Sequence, residues 1–245
     1  MNSISKLSPA AIATSLAIGA ATLAPAAFAV EGLSANAAIT NNYIWRGLTQ
    51  SLNEAAIQGG IDYAHGSGVY LGTWISNVEY ADNDNFSYEH DLYVGYAGEA
   101  GGGLSYDVGY LYYNYDDDAN FDFAEIYGSL GFGGFSVSAN VFAHSEAEQA
   151  DGSDFDFADT VYYSADYAIE VAPELELSFH IGHHDGDFSE AFNGVPGSYI
   201  DYNIALSKGP FAFMITDTDL DDAGDDGLSN DEPKFVVSYT MDIDL

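Results

Sequence analysis

The sequence has no cysteine, so a disulfide framework and a thiolate metal site are both excluded. Positive charge is nearly as scarce: four Lys and Arg stand against 39 Asp and Glu in 245 residues, a formal charge of −35. Such a chain repels phosphate backbones, which excludes nucleic acid as a partner. Beyond residue 29 no stretch approaches the roughly 20 continuous apolar residues of a membrane helix. Leu and Lys are few, whereas 19 Tyr, 15 Phe and 26 Gly are present. Aromatic side chains suit pleated surfaces and glycine weakens helices, so the composition points to an all-β fold.

Residues 1–29 read as a cleaved signal peptide. Lys6 supplies the positive n-region, AAIATSLAIGAATLA a weakly apolar core, and Ala27-Phe28-Ala29 an A-x-A cleavage site. Its removal leaves Arg46, Lys208 and Lys234 against all 39 acids, a formal charge of −36. Residues 30–245 then form one domain.

Through that domain a period of two recurs. In LSANAAITNNYIWRG the odd positions Leu33, Ala35, Ala37, Ile39, Tyr43 and Trp45 oppose Ser34, Asn36, Thr40, Asn42 and Arg46. AIQGGIDYA, YEHDLYVGYAG, LSYDVGYLYYN, FAEIYGSLGF, FSVSANVFA, VYYSADYAIE, LELSFHIGH, IDYNIALSK and KFVVSYTMDIDL repeat the pattern. Sustained alternation of this kind means half-buried strands. VYLGTWISNV, whose two parities both carry large residues, and FAFMITDT bring the count to twelve. An even number of strands suits a closed antiparallel meander.

The connections alternate in length. HGSG, GEAGGG, GFGG, VAPE and SKGP are tight turns, whereas SLNEA, EYADNDN, YDDDAN, HSEAEQADGSDFDFADT, HHDGDFSEAFNGVPG and DTDLDDAGDDGLSNDEP are longer and acidic. Short turns on one side and long loops on the other characterise an outer-membrane barrel, not a soluble sandwich. Aromatic residues near strand ends, Trp45, Tyr63, Tyr96, Tyr112, Phe132, Tyr163 and Phe235, suit the headgroup level. The alternation also persists to Leu245, as it must if the last strand pairs with the first to abolish both sheet edges. The expected fold is an up-and-down transmembrane β-barrel of about 12 strands in a bacterial outer membrane, in contact with lipid and lipopolysaccharide and assembled by the barrel-assembly machinery.

ITNNYIWRGLTQS followed by IQGGIDYAHGSGVYLGTWISNVEY, then EHDLYVGYAG, LSYDVGYLYYNY, AEIYGSLGF and IALSKGPFAFMITDTD, closely resembles the TorF family of porins, also called the Gcw_chp family. The likeness runs through the whole mature chain, and RGLTQS, QGGIDY and GTWISNV are its most specific blocks. It implies a proteobacterial outer-membrane porin. The long acidic loops and the near absence of Lys and Arg depart from it.

If the apolar parity faces lipid, the other lines the lumen with Asp62, Glu89, Asp91, Asp107, Glu125, Asp166, Glu170, Asp201 and Asp242. A narrow tube with these carboxylates favours cations or neutral solutes, unless the acids are consumed in packed networks. Arg46, the sole arginine, points inward by parity, either as one side of a constriction or as a buried partner of several acids. Twelve strands leave a narrow or plugged lumen. His180, His183 and His184 do not make a zinc site on a strand, since His180 and His184 lie about 13 Å apart and His183 points to the other face. The loop bearing Asp217, Asp219, Asp221, Asp225 and Asp226 offers oxygens for weak Ca²⁺ binding without the EF-hand spacing. No cofactor is expected otherwise. A porin-like channel for passive diffusion of small solutes leads; a closed structural or adhesive barrel is the alternative. An outer-membrane hydrolase trails both, because no nucleophile elbow or serine of matching parity accompanies His183.

Overall fold

A computed structural model describes residues 31–82, 84–149, 154–221 and 227–245; the leader segment lies outside them. Twelve wall strands follow the alternation: β1 (Leu33–Thr40), β4 (Ala56–Ala64), β5 (Val69–Asn77), β6 (Tyr88–Ala100), β7 (Leu104–Asn114), β8 (Phe123–Phe132), β9 (Phe135–Ser145), β10 (Val161–Ala172), β11 (Leu175–Asp185), β12 (Ser198–Lys208), β13 (Phe211–Thr218) and β14 (Lys234–Asp244). Two short strands, β2 (Ile44–Trp45) and β3 (Leu48–Thr49), pair with each other apart from the wall. Each wall strand is antiparallel to its neighbours. β14 closes the barrel on β1 from Ser34↔Asp244 to Thr40↔Ser238. The amide of Leu245 still donates to the Leu33 carbonyl at 3.2 Å, which is why the alternation could not fade before the terminus.

The outer face is apolar to a degree no soluble monomer sustains. Ile57 is 72% exposed, Phe235 70% and Phe132 63%, and Leu92, Val94, Val108, Ile181 and Phe213 share that face. In β5, where the sequence left the facing open, Val69, Leu71 and Ile75 point outward, whereas Tyr70 and Ser76 are buried inside. Among the described residues no helix is long and apolar enough to cross a membrane; the closed wall satisfies its strands' backbone and presents this apolar face to lipid. This is an outer-membrane barrel.

Turns of two to four residues join β4 to β5, β6 to β7, β8 to β9, β10 to β11 and β12 to β13, all at the end that holds Leu33 and Asp244. Left-handed residues make the tightest of them possible, as at Gly133 with φ 61° and Gly209 with φ 55°. The opposite end carries the long connections, extracellular in this architecture. One of them contains α1 (Asp187–Asn193), a helix closed by Gly194 in the left-handed conformation.

Two expectations fail at the first long connection. Strand β1 stops at Thr40 instead of continuing through Arg46, and Trp45, expected at the lipid headgroups, is only 4% exposed and lies inside the barrel. The physical reason is a turn. Arg46 with φ 49° and Gly47 with φ 81° are the two positive-φ centres of a tight hairpin joining β2 to β3, and the segment folds back into the lumen. Of the remaining aromatic residues, Tyr96, Phe132, Tyr163 and Phe235 are exposed on the outer face as expected.

Candidate functional site

The lumen has two halves. In the long-loop half, residues 41–55 form a plug that touches wall strands nearly all the way round. Tyr43 packs edge-on against Trp74 of β5 at 5.5 Å and donates its hydroxyl to Glu89 of β6 at 2.7 Å. Trp45 packs against Tyr113 of β7, Phe123 of β8 and His184 of β11. Ile44 fills the opposite side with Ala205 of β12, Met214 of β13 and Val236 of β14. Phe188 and Phe192, four residues apart on α1, turn inward to meet Phe123 at 4.9 and 5.2 Å. At about 1.5–3 kcal/mol per fully buried large apolar side chain, this cluster holds the plug firmly.

Arg46 is the plug's electrostatic anchor. Its Nη2 donates to both oxygens of Glu125 at 2.8 and 2.6 Å, and its Nη1 lies 3.2 Å from His184 Nε2. The guanidinium sits between the rings of Trp45 and Tyr162, at 4.1 and 4.3 Å from their centroids. Glu125 also accepts from Tyr113 and Asn140. Gly47 fits because a Cβ there would come within 2.6 Å of Asp201 Cβ and 2.7 Å of Thr218 Cγ2. Arg46 thus reaches the lumen as expected, but from a hairpin tip, and serves as the buried partner of a carboxylate.

The short-turn half is built differently. Tyr70, Tyr93 and Tyr127 face inward, yet each lies flat against a glycine directly across the strand pair: Gly95, Gly72 and Gly109. A Cβ at those glycines would approach the tyrosine ring or hydroxyl to 2.1, 2.5 and 2.2 Å, so only glycine admits the rings to the wall. Asp107 accepts from Tyr70 at 2.6 Å, Tyr70 meets the Tyr127 hydroxyl, and Asp62 accepts from Tyr93. Across the barrel His180 bridges Asp166 at 2.6 Å and Asp201 at 3.0 Å, and Tyr162 joins the same group.

Six of the nine acids expected in the lumen, Asp62, Asp91, Asp107, Glu125, Asp166 and Asp201, lie on the inner face, though not in one ring. Glu125 belongs to the plug, Asp62 and Asp107 to the tyrosine wall, and Asp166 and Asp201 to the histidine wall. Asp91 lies between plug and tyrosine wall. Lys234, buried at the long-loop end, donates to the carbonyls of Leu228 and Ser229. Sequence reasoning leads to a narrow or plugged lumen but not to residues 41–55 as the plug. Its signal was the run of apolar residues on the lumen parity near the long-loop end, Leu111, Tyr113, Phe123, Phe142, Met214 and Val236, which water alone would not tolerate.

Two other groupings carry less. Ser189 Oγ lies 3.1 Å from His184 Nδ1, a spacing that suggests a nucleophile and its base. Arginine only donates, so Arg46 makes Nε2 the acceptor and leaves the proton on Nδ1, which cannot then accept one from serine. His183 is exposed on the outer face and meets Ser198 at 3.0 Å. Of the acidic loop after β13, Asp219 accepts from the Ile200 amide and Asp217 from the Tyr202 hydroxyl, while Asp225 and Asp226 lie outside the described residues. Asp154, Asp156 and Asp159 bring carboxylate oxygens within 4.8 Å of one another on an exposed loop.

Residues 24–239 match the model of a family described as bacterial proteins of unknown function, Gcw_chp. Among curated proteins there is no match. Solved structures with a similar fold include the KdgM porin, 7% identical with a TM-score of 0.50, and the KdgM porin in complex with disordered oligogalacturonate, 8% identical with a TM-score of 0.51. The NanC porin is 11% identical with a TM-score of 0.50. In each case 87% of this chain and 98% of the other are covered. At these identities the likeness is one of fold.

Proposed function

The chain belongs to the Gcw_chp family, and we propose that it is an outer-membrane channel of small bore for passive diffusion of small cations and neutral solutes, exported by a signal peptide at residues 1–29. The name TorF porin suits the same reading. What carries it is the balance of charge inside the wall: Asp62 and Asp107 lie on the inner face of the short-turn half and Asp166 beside His180, while Arg46 is committed to Glu125 and Lys234 donates to backbone carbonyls. A low-dielectric tube with that balance concentrates cations. An anionic sugar such as the oligogalacturonate seen with KdgM would be repelled here.

Flat-lying tyrosines support a lumen kept clear at the short-turn end. The plug supports narrow or regulated passage, and it also favours a second reading, a closed structural barrel. Planar-bilayer recordings separate the two. Small conductance with cation-selective reversal potentials in a KCl gradient is expected, and selectivity should shrink as the screening length falls from about 10 Å at 0.1 M salt to about 3 Å at 1 M. Replacing Asp62 and Asp107 together by Asn should lower selectivity while the barrel still folds. Anion preference would overturn the charge argument; silence of both the native barrel and a plug-loosened variant would leave the closed barrel.

A further inference from the structure

Asp91 is a carboxylate without a donor. It is 9% exposed, and its Oδ1 is buried with no hydrogen-bond partner. Its inward neighbours on β6 are Glu89, toward the plug, and Tyr93, toward the short-turn end. Directly opposite on the adjoining strands stand Trp74 of β5 and Tyr113 of β7. The surrounding hydroxyls each have one proton, and each is committed: Tyr43 and Tyr115 to Glu89, Tyr113 to Glu125, Tyr93 to Asp62. Arg46 gives Nη1 and Nη2 to His184 and Glu125. A buried acceptor without a donor is costly, more so when charged. Two donors of the plug, Trp45 Nε1 and Arg46 Nε, are likewise buried without a partner, and neither donates to Asp91.

The geometry points to a binding site for a primary organic ammonium ion at the floor of the plug, with Asp91 receiving the N–H groups and the rings of Trp74, Tyr113 and Tyr93 beside the cation. Two carboxyl side chains one pleat apart, Glu89 and Asp91, give a cation acceptors there, and aromatic faces add cation–π attraction. A chelated metal ion fits less well. Among the described residues, only Asp154, Asp156 and Asp159 place three ligand atoms close enough to share one. An ammonium head needs one carboxylate and a ring, which is what this position supplies. Below it Asp62 and Asp107, on the inner face of the short-turn half, give the rest of an extended amine a polar approach.

This inference rests on the cation-preferring reading above, so its test does not depend on current. The folded full-length mature barrel in zwitterionic detergent is titrated calorimetrically with 1,5-diaminopentane, with 1,5-pentanediol as the uncharged competitor. Saturable binding is expected that the diol does not displace. Asp91→Asn should weaken it by about ten-fold or more, as loss of a charged hydrogen bond does, whereas Glu174→Gln, in the exposed turn between β10 and β11, should leave it unchanged. If Asp91→Asn fails to fold by heat-modifiable mobility, Trp74→Leu replaces it and should also weaken binding. Absence of saturable heat in the native barrel, displacement by the diol, or undiminished affinity in the decisive variant overturns the proposal. Diamine binding by a barrel that carries no current would retain the site and sink the conduction reading; cation-selective current without binding would do the reverse.

Discussion

The two halves of the lumen use aromatic side chains for opposite ends. At the long-loop end Tyr43, Trp45, Tyr113, Phe123, Phe188 and Phe192 project into the barrel and interlock, with ring centroids as close as 4.2 Å between Tyr113 and Phe123. At the short-turn end Tyr70, Tyr93 and Tyr127 are held against the wall by the glycines opposite them. Residue type does not separate the two cases, since tyrosine occurs in both. Among the tyrosines of β5 to β8, a cross-strand glycine separates them: Tyr70, Tyr93 and Tyr127 each have one and lie over it, whereas Tyr113 has none and stacks on Phe123. Tyr113 lies opposite Asp91 and Phe123, whereas Tyr93 lies opposite Gly72.

The plugged half should be the more easily broken. Glu125→Ala leaves the Arg46 guanidinium buried without its carboxylate, and loss of one member of a buried pair costs about 3–5 kcal/mol. The heat-modifiable transition should fall steeply, while Glu125→Ala combined with Arg46→Met recovers much of the loss. Gly47→Ala comes next. Its methyl group would collide with Asp201 and Thr218 in a backbone conformation that disfavours side chains, a cost of about 1–3 kcal/mol. The barrel should still close, because β1 pairs with β14 independently of the plug, and single-channel conductance should rise; unchanged conductance would mean that residues 41–55 do not limit passage.

The short-turn half is sharpened by the opposite kind of change. Gly72→Ala should push the Tyr93 ring off the wall and away from Asp62, lowering conductance while stability changes by about 1 kcal/mol. An equal conductance would show that the ring's position is irrelevant to bore. The smallest effect concerns the loops. Burial alone would raise the Asp116 carboxyl, but hydrogen bonds from the Ser87 hydroxyl, the Ser87 amide and the Tyr88 amide outweigh it and hold the group below its ordinary value. Stability from a lowered acid is complete above its unfolded pKa of about 4 and is lost as pH falls through the lower folded value. Protease access to residues 78–87 should therefore rise only below about pH 4, and Asp116→Asn should abolish that pH dependence.

Much of the wall was legible from residue alternation, because lipid outside and water or polar groups inside impose opposite demands on successive side chains. That one rule located the twelve wall strands, their closure from Ser34↔Asp244 onward, and the inward acids Asp62, Asp91, Asp107, Glu125, Asp166 and Asp201. It misread Trp45 and placed Arg46 on the first strand, since Tyr43, Trp45 and Arg46 keep the parity of β1 even though the chain has left the sheet. Alternation reports which faces differ, not which strand a residue pairs with. The helix α1 was hidden for a related reason: a seven-residue segment is stabilised by what Phe188 and Phe192 touch, not by its own propensity.

The sequence by itself determined a closed, lipid-facing, acid-lined barrel, because period, turn residues and composition are local properties that each segment carries wherever it goes. Only the tertiary structure decided that the lumen has a half filled by residues 41–55 and a half lined by tyrosines lying over glycines. Arg46 meets Glu125 across 79 positions and His184 across 138, and Tyr93 lies flat because Gly72 happens to be its partner. Such contacts depend on register and on a loop's direction of fold, quantities set by the packing free energy of the whole barrel and written in no single stretch of it.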